Sequence, residues 1–257
     1  MKYRLGRLPR QYSPRIPHFS ALFSKLKLDT LPESVDWAYS MPKTLGMYLN
    51  DEIGNCTCAA FYHARQIWNY NSNKSFTSDP EQDALKLYEL AAGYVPGDVE
   101  TDQGATCQSI MEYLYNKGAP IGSESTRDKI LGFIEVDPRN LEDVQRTIYE
   151  CGVAYIGINV PDYIIPEGGE PPVLWRVENT HAPIIGGHCV VLHGYTGTEY
   201  DLISWGRRYR VTPKFLHYYL DECYGIIDRA WFNSSSETPF GLTSAQVEQQ
   251  MVAIQRN

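Results

Sequence analysis

No stretch of the 257-residue sequence approaches the roughly 18 consecutive apolar residues that a membrane-spanning helix requires, and its first residues lack the apolar segment of a secretory signal peptide. The first expectation is therefore a cytoplasmic protein without a membrane partner. At this length, a single domain of two packed lobes can bury a complete core without disulfide or metal cross-links.

The sequence also lacks an excess of positive charge. Its formal net charge is −8 and its acidic residues are scattered, so its field should repel phosphate backbones, and we expect no nucleic-acid partner. Residues 1–30 are the exception. They predict an extended basic arm, either solvated or docked on a protein partner of acidic character. Its prolines are Pro9, Pro14 and Pro17, and its first basic residues are Lys2, Arg4, Arg7, Arg10 and Arg15.

Cysteine is scarce. Six dispersed residues are too few for a disulfide scaffold, and without a signal peptide they are predicted to be thiols. A zinc site on Cys56, Cys58 and His63 is disfavoured because a second ligand pair at structural-zinc spacing is missing. We therefore expect neither a metal nor an organic cofactor, which leaves one or two cysteines available for chemistry.

Helix signals dominate the first half of the chain. A helix is predicted from Cys56 to about residue 70, a second after an Asp79 cap with Gly93 as its end, and a third over about 104–117. In the second half, helices are predicted after Asn140, after Thr212 and after a capping pair of Thr243 and Gln246.

Strands are predicted only in the second half. They are expected near 133–136, 153–160, 188–195, 200–205 and 224–227. Residues 196–199 predict a hairpin turn, and residues 161–187 form a loop long enough to line a site. Helices followed by antiparallel strands indicate an α+β fold.

Cys56 lies at the predicted start of a helix, where unpaired N–H groups and the helix dipole stabilise a thiolate. Such a nucleophile needs a histidine to form an ion pair and to protonate the leaving group. His188 is the candidate, because it opens an apolar strand after Gly187, which permits close approach of another chain. His63 is roughly 10 Å from Cys56 by helical rise, and His193 lies deeper in the strand, so both are interpreted as structural.

Five separate segments resemble, in the right order, landmarks of the papain-like cysteine peptidases. They are Leu-Pro-Glu-Ser-Val-Asp-Trp (31–37), the helix-opening Cys56, Asp-Gln-Gly (102–104), Gly-His-Cys-Val (187–190) and Ser-Trp-Gly (204–206). Residues 50–56 are also similar to an Asn-Asp-x-x-Gly-Asp-Cys pattern in less characterised bacterial and phage papain-like proteins.

Two departures from that pattern leave alternatives open. Cys58-Ala59-Ala60-Phe61 also matches residues around the family's nucleophile. However, the position six residues before Cys56, where the family has its oxyanion-binding glutamine, is Asn50, an amide donor, whereas six before Cys58 is a carboxylate. Cys56 is therefore preferred.

The second departure is Ile203, which stands where the family has a histidine-orienting asparagine. Isoleucine cannot bind an imidazole, so three interpretations remain. The site works as a Cys-His dyad, Asp201 replaces the asparagine, or catalysis is weakened or lost.

The resemblance implies a papain-like two-lobe α+β fold over residues 31–257, with the cleft between the lobes. The expected parts are a helical lobe at about 45–125, a sheet or half-barrel lobe at about 130–235 and a C-terminal helix at about 243–255.

The implied activity is cleavage of amide bonds in a protein or peptide substrate through an acyl-enzyme. Cys56, His188, Asn50 and Asp201 would be catalytic, and Trp205 and Gly187 would lie at the substrate. The alternatives are an acyl transferase and a non-catalytic protein-binding module, for example a phage virion or effector component, so a virion location is also open. The arm is short for an inhibitory prosegment, and we expect no zymogen.

Overall fold

The computed structural model describes residues 3–14, 16–19, 30–73, 76, 78–122, 126–232, 243, 245–246 and 249. Helices concentrate in the first half of this part of the chain and strands in the second, as the α+β prediction expects. In these ranges, no helix combines the length and the apolar character needed to cross a membrane.

The helical lobe is built around one central helix. Its helices are α1 (Cys56–Asn73), α2 (Glu81–Ala92) and α3 (Cys107–Asn116). Residues 56–68 of α1 are all buried, so this helix is enclosed on every side. Gly93 ends α2 in the left-handed conformation, with φ of 76°, and the Thr106 hydroxyl caps α3 by accepting the Ser109 N–H.

The sheet lobe is one large, mainly antiparallel sheet with two helices, α4 (Leu141–Cys151) and α5 (Pro213–Tyr219). The strands of the described chain are β1 (Val35–Asp36), β2 (Ala119–Pro120), β3 (Arg127–Asp128), β4 (Gly132–Val136), β5 (Ala154–Pro161), β6 (Leu174–Trp175), β7 (Ile184–Tyr195), β8 (Tyr200–Ser204), β9 (Arg207–Val211) and β10 (Leu220–Ile227). The order across the sheet is β4-β10-β5-β7-β8-β9-β6, with β1 beside β7, while β2 and β3 form a separate ribbon. β7 is therefore central.

Alternate residues of β7 enter two different cores. Val190 and Leu192 belong to the core on one face of the sheet, whereas Cys189 and Val191 join the core that contains α1. This is the period of two that a strand imposes on its side chains. The helical lobe thus packs directly on the strand that carries His188.

Several element predictions need correction. α2 begins after Pro80 without a side-chain cap, so Asp79 is not its cap; it accepts a hydrogen bond from Arg65 instead. α3 begins at Cys107 rather than near residue 104, because Thr106 supplies the cap. The polar strand β9 was not predicted, because its arginines obscure the alternation of apolar and polar residues by which a strand is recognised.

The predicted C-terminal helix over 243–255 lies mostly outside the described residues. Its capping pair is within them. The N–H of Thr243 donates to Gln246 Oε1 at 2.8 Å, and the N–H of Gln246 donates to Thr243 Oγ1 at 3.2 Å. These are the two reciprocal bonds of a capping box.

Candidate active site

The turn before Cys56 is held in a strained conformation. Tyr48 and Leu49 have φ values of 53° and 62°, which non-glycine residues rarely adopt. Two side chains hold this turn in place. Asn55 Nδ2 donates to the Tyr48 carbonyl at 2.7 Å, and Asp102 accepts the N–H of Gly54 at 3.0 Å. The turn therefore fixes Cys56 as the first residue of α1, as predicted.

The Cys56 thiol is buried against backbone N–H groups. Hydrogen bonds from the N–H groups of Cys189 and Gly6 stabilise its thiolate form, but burial outweighs them and raises the pKa of Cys56 to about 12. At neutral pH this thiol is protonated. Because the bond from Cys189 comes from the residue after His188, the sulfur lies against the backbone of the predicted histidine strand.

The His188 ring is fixed between two groups. It stacks on Trp205 with 4.4 Å between ring centroids and 14° between planes, and its Nε2 lies 2.7 Å from Ser204 Oγ. Nδ1 is buried and makes no hydrogen bond to any described residue. Burial, aided by the positive charge of Arg7, lowers the pKa of His188 to about 3. In this state, the cysteine and histidine are both neutral and have not formed an ion pair.

Trp205 supports this ring from a strained backbone of its own. Its φ is 45°, and Gly206 follows at 68°, so the turn between β8 and β9 directs the indole toward His188. The Trp205 Nε1 donates to the Arg4 carbonyl at 3.2 Å. Trp205 therefore contacts both the histidine and the arm.

Asn50 also borders the arm. It is buried, its backbone carbonyl accepts the N–H of Arg4 at 3.1 Å, and its side-chain Nδ2 donates to the Ile53 carbonyl at 3.3 Å. One amide hydrogen remains for a further partner.

Asp201 is not brought to His188. It lies beside Gly194, where an added Cβ would be 2.9 Å from its Oδ2, and beside His193. Burial raises the pKa of Asp201, although the charge of His193 opposes this. Among the described residues, Ser204 is the one that forms a hydrogen bond with the His188 ring. The alternation of β8 gives the reason, because Ile203 points into the core that contains α1 while Ser204 points the other way.

The two histidines interpreted as structural are both buried and partnered. His193 Nδ1 lies 3.1 Å from Asp36 Oδ1, and His63 Nδ1 lies 3.1 Å from Gln66 Oε1. Cys58 is buried in α1, and burial raises its pKa well above the usual value.

The arm lies across this site, which the sequence did not predict. The cleft is bounded by Gly54 and Ala105 of the helical lobe and by Gly187 and Trp205 of the sheet lobe, and residues 3–8 run through it. Gly6 accepts the N–H of Ala105 at 2.9 Å, Arg7 donates to the Gly187 carbonyl at 3.1 Å, and Leu8 donates to the Ala105 carbonyl at 3.0 Å. Both walls of the cleft therefore bind the arm through its backbone.

The charge of the arm left open whether it is solvated or docked on acidic groups, and two of its arginines contact acidic residues of the chain itself. Arg7 and Arg10 form ion pairs with Asp221, Glu222 and Glu135. The length of the arm argued against an inhibitory segment, yet six residues suffice to reach from Trp205 to Ala105. Sequence alone cannot show this, because these acidic residues lie more than a hundred positions away.

Comparisons with known proteins give structural likeness only. No family model matches the sequence, and no curated protein matches it. Xylellain, a cysteine protease from Xylella fastidiosa, superposes with a TM-score of 0.68 at 16% identity, over 88% of this chain and 97% of that one. Procathepsin B S9 from Trypanosoma congolense superposes with a TM-score of 0.60 at 12% identity, over 88% of this chain and 86% of that one.

A third structure, the digestive procathepsin L 3 of Tenebrio molitor larval midgut, gives a TM-score of 0.57 at 14% identity, over 88% of this chain and 76% of that one. Identities this low carry no residue roles across. What they establish is architecture: the chain has the fold of the papain-like cysteine proteases.

Proposed function

We propose that the protein is a cysteine peptidase or amidase that cleaves amide bonds of peptides bound in the cleft. One observation carries the proposal. An extended peptide, the arm, lies over the Cys56 thiol with its backbone hydrogen-bonded to both walls, at Ala105 and at Gly187. A cleft that binds backbone in this way suits substrates whose reactive group is itself a backbone amide.

The proposed reaction begins when the arm leaves and a substrate carbonyl takes its place. The Cys56 proton passes to Nδ1 of His188, the nitrogen left available by the Ser204 bond to Nε2. The sulfur attacks the carbonyl carbon, and the N–H of Cys56 and the Nδ2 of Asn50 stabilise the oxyanion. His188 then returns the proton to the leaving amine, and water hydrolyses the thioester.

The arm-covered state is the resting state in this proposal. Covering the cleft removes water from Cys56 and His188, and this burial is the main cause of the raised thiol pKa and the lowered imidazole pKa. Displacing the arm returns solvent to both groups. The two pKa values then move toward each other, which favours the thiolate-imidazolium pair.

The test uses the full chain with the arm displaced by a Gly6→Ala substitution. Gly197→Ala is the matched control, because an added Cβ there meets no atom within 4 Å. We expect the Gly6→Ala protein to hydrolyse a fluorogenic mixed-sequence peptide pool, and we expect Cys56→Ala in the same background to abolish hydrolysis. Activity that survives Cys56→Ala would refute the proposal.

A second candidate, a non-catalytic peptide-binding module, is favoured by one observation. Among the described residues, only the Ser204 hydroxyl forms a hydrogen bond with Nε2 of His188, and the neighbouring Ile203 cannot orient the ring. In that case the Gly6→Ala protein would bind peptides in the cleft and leave them intact. Mass spectrometry of the peptide pool after long incubation separates the two functions.

A further inference from the structure

The side chain of Arg7 fills a pocket that belongs to the sheet lobe. We call it the acidic pocket, and it consists of the Asp221, Glu222 and Asn159 side chains with the Ile158 carbonyl. Arg7 Nη1 lies 2.8 Å from Asp221 Oδ2 and 2.7 Å from Glu222 Oε1. Nη2 lies 2.7 Å from Asn159 Oδ1 and 3.4 Å from the Ile158 carbonyl. Both branches of the guanidinium are thus engaged.

Groups of the sheet lobe position the lining of the pocket. Tyr224 donates its hydroxyl to Glu222 Oε2 at 2.9 Å, which fixes the carboxylate from the side away from Arg7. Gly157 provides the room, because an added Cβ would lie 2.6 Å from Glu222 and 2.7 Å from Arg7 Cδ. Asn159 and Glu222 come from the neighbouring strands β5 and β10, so a rigid sheet sets their spacing.

The chemistry of the pocket requires a cation. The side chains of Arg7 and Glu222 are each 1% exposed. A buried carboxylate without a partner is strongly unfavourable, whereas a guanidinium offers charge and several donors in a planar fork. A lysine ammonium is a single point and cannot reach acceptors on both sides of the pocket at once. The fit therefore selects arginine above lysine and disfavours apolar side chains.

The pocket also has a fixed register relative to the nucleophile. Gly6 is the arm residue whose N–H meets the Cys56 sulfur, and Arg7 is the next residue along the chain. Arg7 is anchored beside His188 by its N–H bond to the Gly187 carbonyl. A side chain in the acidic pocket thus belongs to a residue adjacent to the one over the thiol.

We propose that the acidic pocket is the specificity pocket of the cleft, that substrates place an arginine in it next to the residue over Cys56, and that Arg7 is its intramolecular occupant. This inference rests on the proposed function, since it names the substrate class of the same site. It assigns a selecting role to Glu222, Asp221 and Asn159, none of which contacts the reacting atoms.

Peptide binding tests this inference without requiring catalysis. The protein is the full chain carrying Gly6→Ala to displace the arm and Cys56→Ala to prevent turnover. The probe is a fluorescent peptide with the sequence of residues 3–10, Tyr-Arg-Leu-Gly-Arg-Leu-Pro-Arg. The peptide change Arg7→Leu should weaken binding by roughly 30-fold or more, because it leaves the buried Glu222 carboxylate without its cationic partner.

The matched peptide control is Arg4→Leu, which removes the same charge from an exposed side chain. It should weaken binding by no more than about 3-fold, the size of a screened surface contribution. Arg7→Lys should fall between the two. Equal losses for the Arg4→Leu and Arg7→Leu peptides, or no measurable binding of the unmodified peptide, would overturn the inference.

Protein variants supply a second line of evidence. Glu222→Gln and Asp221→Asn should each reduce the discrimination between the unmodified peptide and the peptide carrying Arg7→Leu. Asp221 is the safer variant for folding, because its side chain is 32% exposed. Glu199→Gln, which removes only a surface ion pair with Arg210, is the control and should leave the discrimination unchanged.

The inference and the proposed function can fail separately. Arginine-dependent binding without cleavage by the Gly6→Ala protein would support the pocket and refute the peptidase. Cleavage of arginine-containing and leucine-containing peptides with equal kcat/KM would support the peptidase and refute the pocket.

Discussion

Gly6 of the arm passes so close to Gly54 of the helical lobe that a Cβ atom on Gly6 would lie 1.8 Å from the Gly54 carbonyl oxygen. Glycine is thus required at this point, because the contact is backbone against backbone and no side chain can move aside. Gly104 approaches from the other side, where an added Cβ would be 2.2 Å from the Gly6 carbonyl oxygen. The position of the arm in the cleft depends on this contact.

The first prediction follows from that contact and concerns the arm alone. Gly6→Ala should release residues 3–8, so trypsin should cut after Arg7 roughly 10-fold faster or more than in the unsubstituted chain, since cleavage follows the population of the open form. N-terminal sequencing or intact mass gives the rate. Gly197→Ala should digest like the unsubstituted chain. Equal protection of both variants would show that the arm tolerates the added carbon.

The second prediction concerns the residue that orients His188. In the Gly6→Ala background, Ser204→Ala removes the 2.7 Å contact to Nε2 and should lower kcat/KM by about 10-fold to 100-fold, the usual size of a lost positioning contact in acid-base catalysis. Because Ser204 acts through the His188 ring, kcat should fall more than KM rises, and the pH dependence of kcat/KM should shift.

Asp201→Asn is the informative comparison for Ser204→Ala. Asp201 lies beside His193 and Gly194, so its substitution should change kcat/KM by no more than about 2-fold, as is usual for residues outside a site. A large loss with Asp201→Asn and none with Ser204→Ala would reverse the assignment of the orienting residue.

The third prediction is a dependence of stability on pH. Burial lowers the pKa of His63 from 6.5 to about 4, so below pH 6.5 the unfolded chain takes up a proton that the folded chain refuses. Stability from this group is present above pH 6.5 and is lost as the pH falls toward 4. Between pH 7 and pH 5 the loss is about 2 kcal/mol for one such histidine.

Urea unfolding at pH 7 and pH 5 measures this loss. Between pH 7 and pH 5, the free energy of unfolding of the His63→Leu protein should fall by about 2 kcal/mol less than that of the unsubstituted chain. This difference is independent of the effect of the substitution on stability at pH 7. His217→Leu, an exposed position, is the control and should not alter the difference. An unchanged difference in His63→Leu would mean that His63 titrates normally in the fold.

Much of the fold could be predicted because its signals are local. Asn140 caps α4 and Thr212 caps α5, as their side chains and positions indicated, and Gly93 ends α2 as expected. The prediction that Asp79 caps α2 was wrong because the hydrogen-bond partner of a side chain depends on its surroundings in the fold. Here the Asp79 carboxylate accepts a hydrogen bond from Arg65.

Local sequence patterns single out only some of the residues at the candidate site. Cys56 at a helix start and His188 on an apolar strand have such signals. Ser204, by contrast, reaches the His188 ring through the alternation of β8, which requires the register of the strand to be known. The contact of Arg7 with Glu222 spans 215 positions and has no local signal at all.

Alkylation of the cysteines by iodoacetamide at neutral pH, mapped residue by residue by mass spectrometry, tests whether Cys56 is the nucleophile activated by His188. In the Gly6→Ala protein, we expect Cys56 to react roughly 10-fold faster or more than Cys58 and the other cysteines, and we expect His188→Ala to abolish this advantage. Equal, slow reaction of all six thiols with the arm shown to be released, or preferential reaction of Cys58, would contradict this expectation.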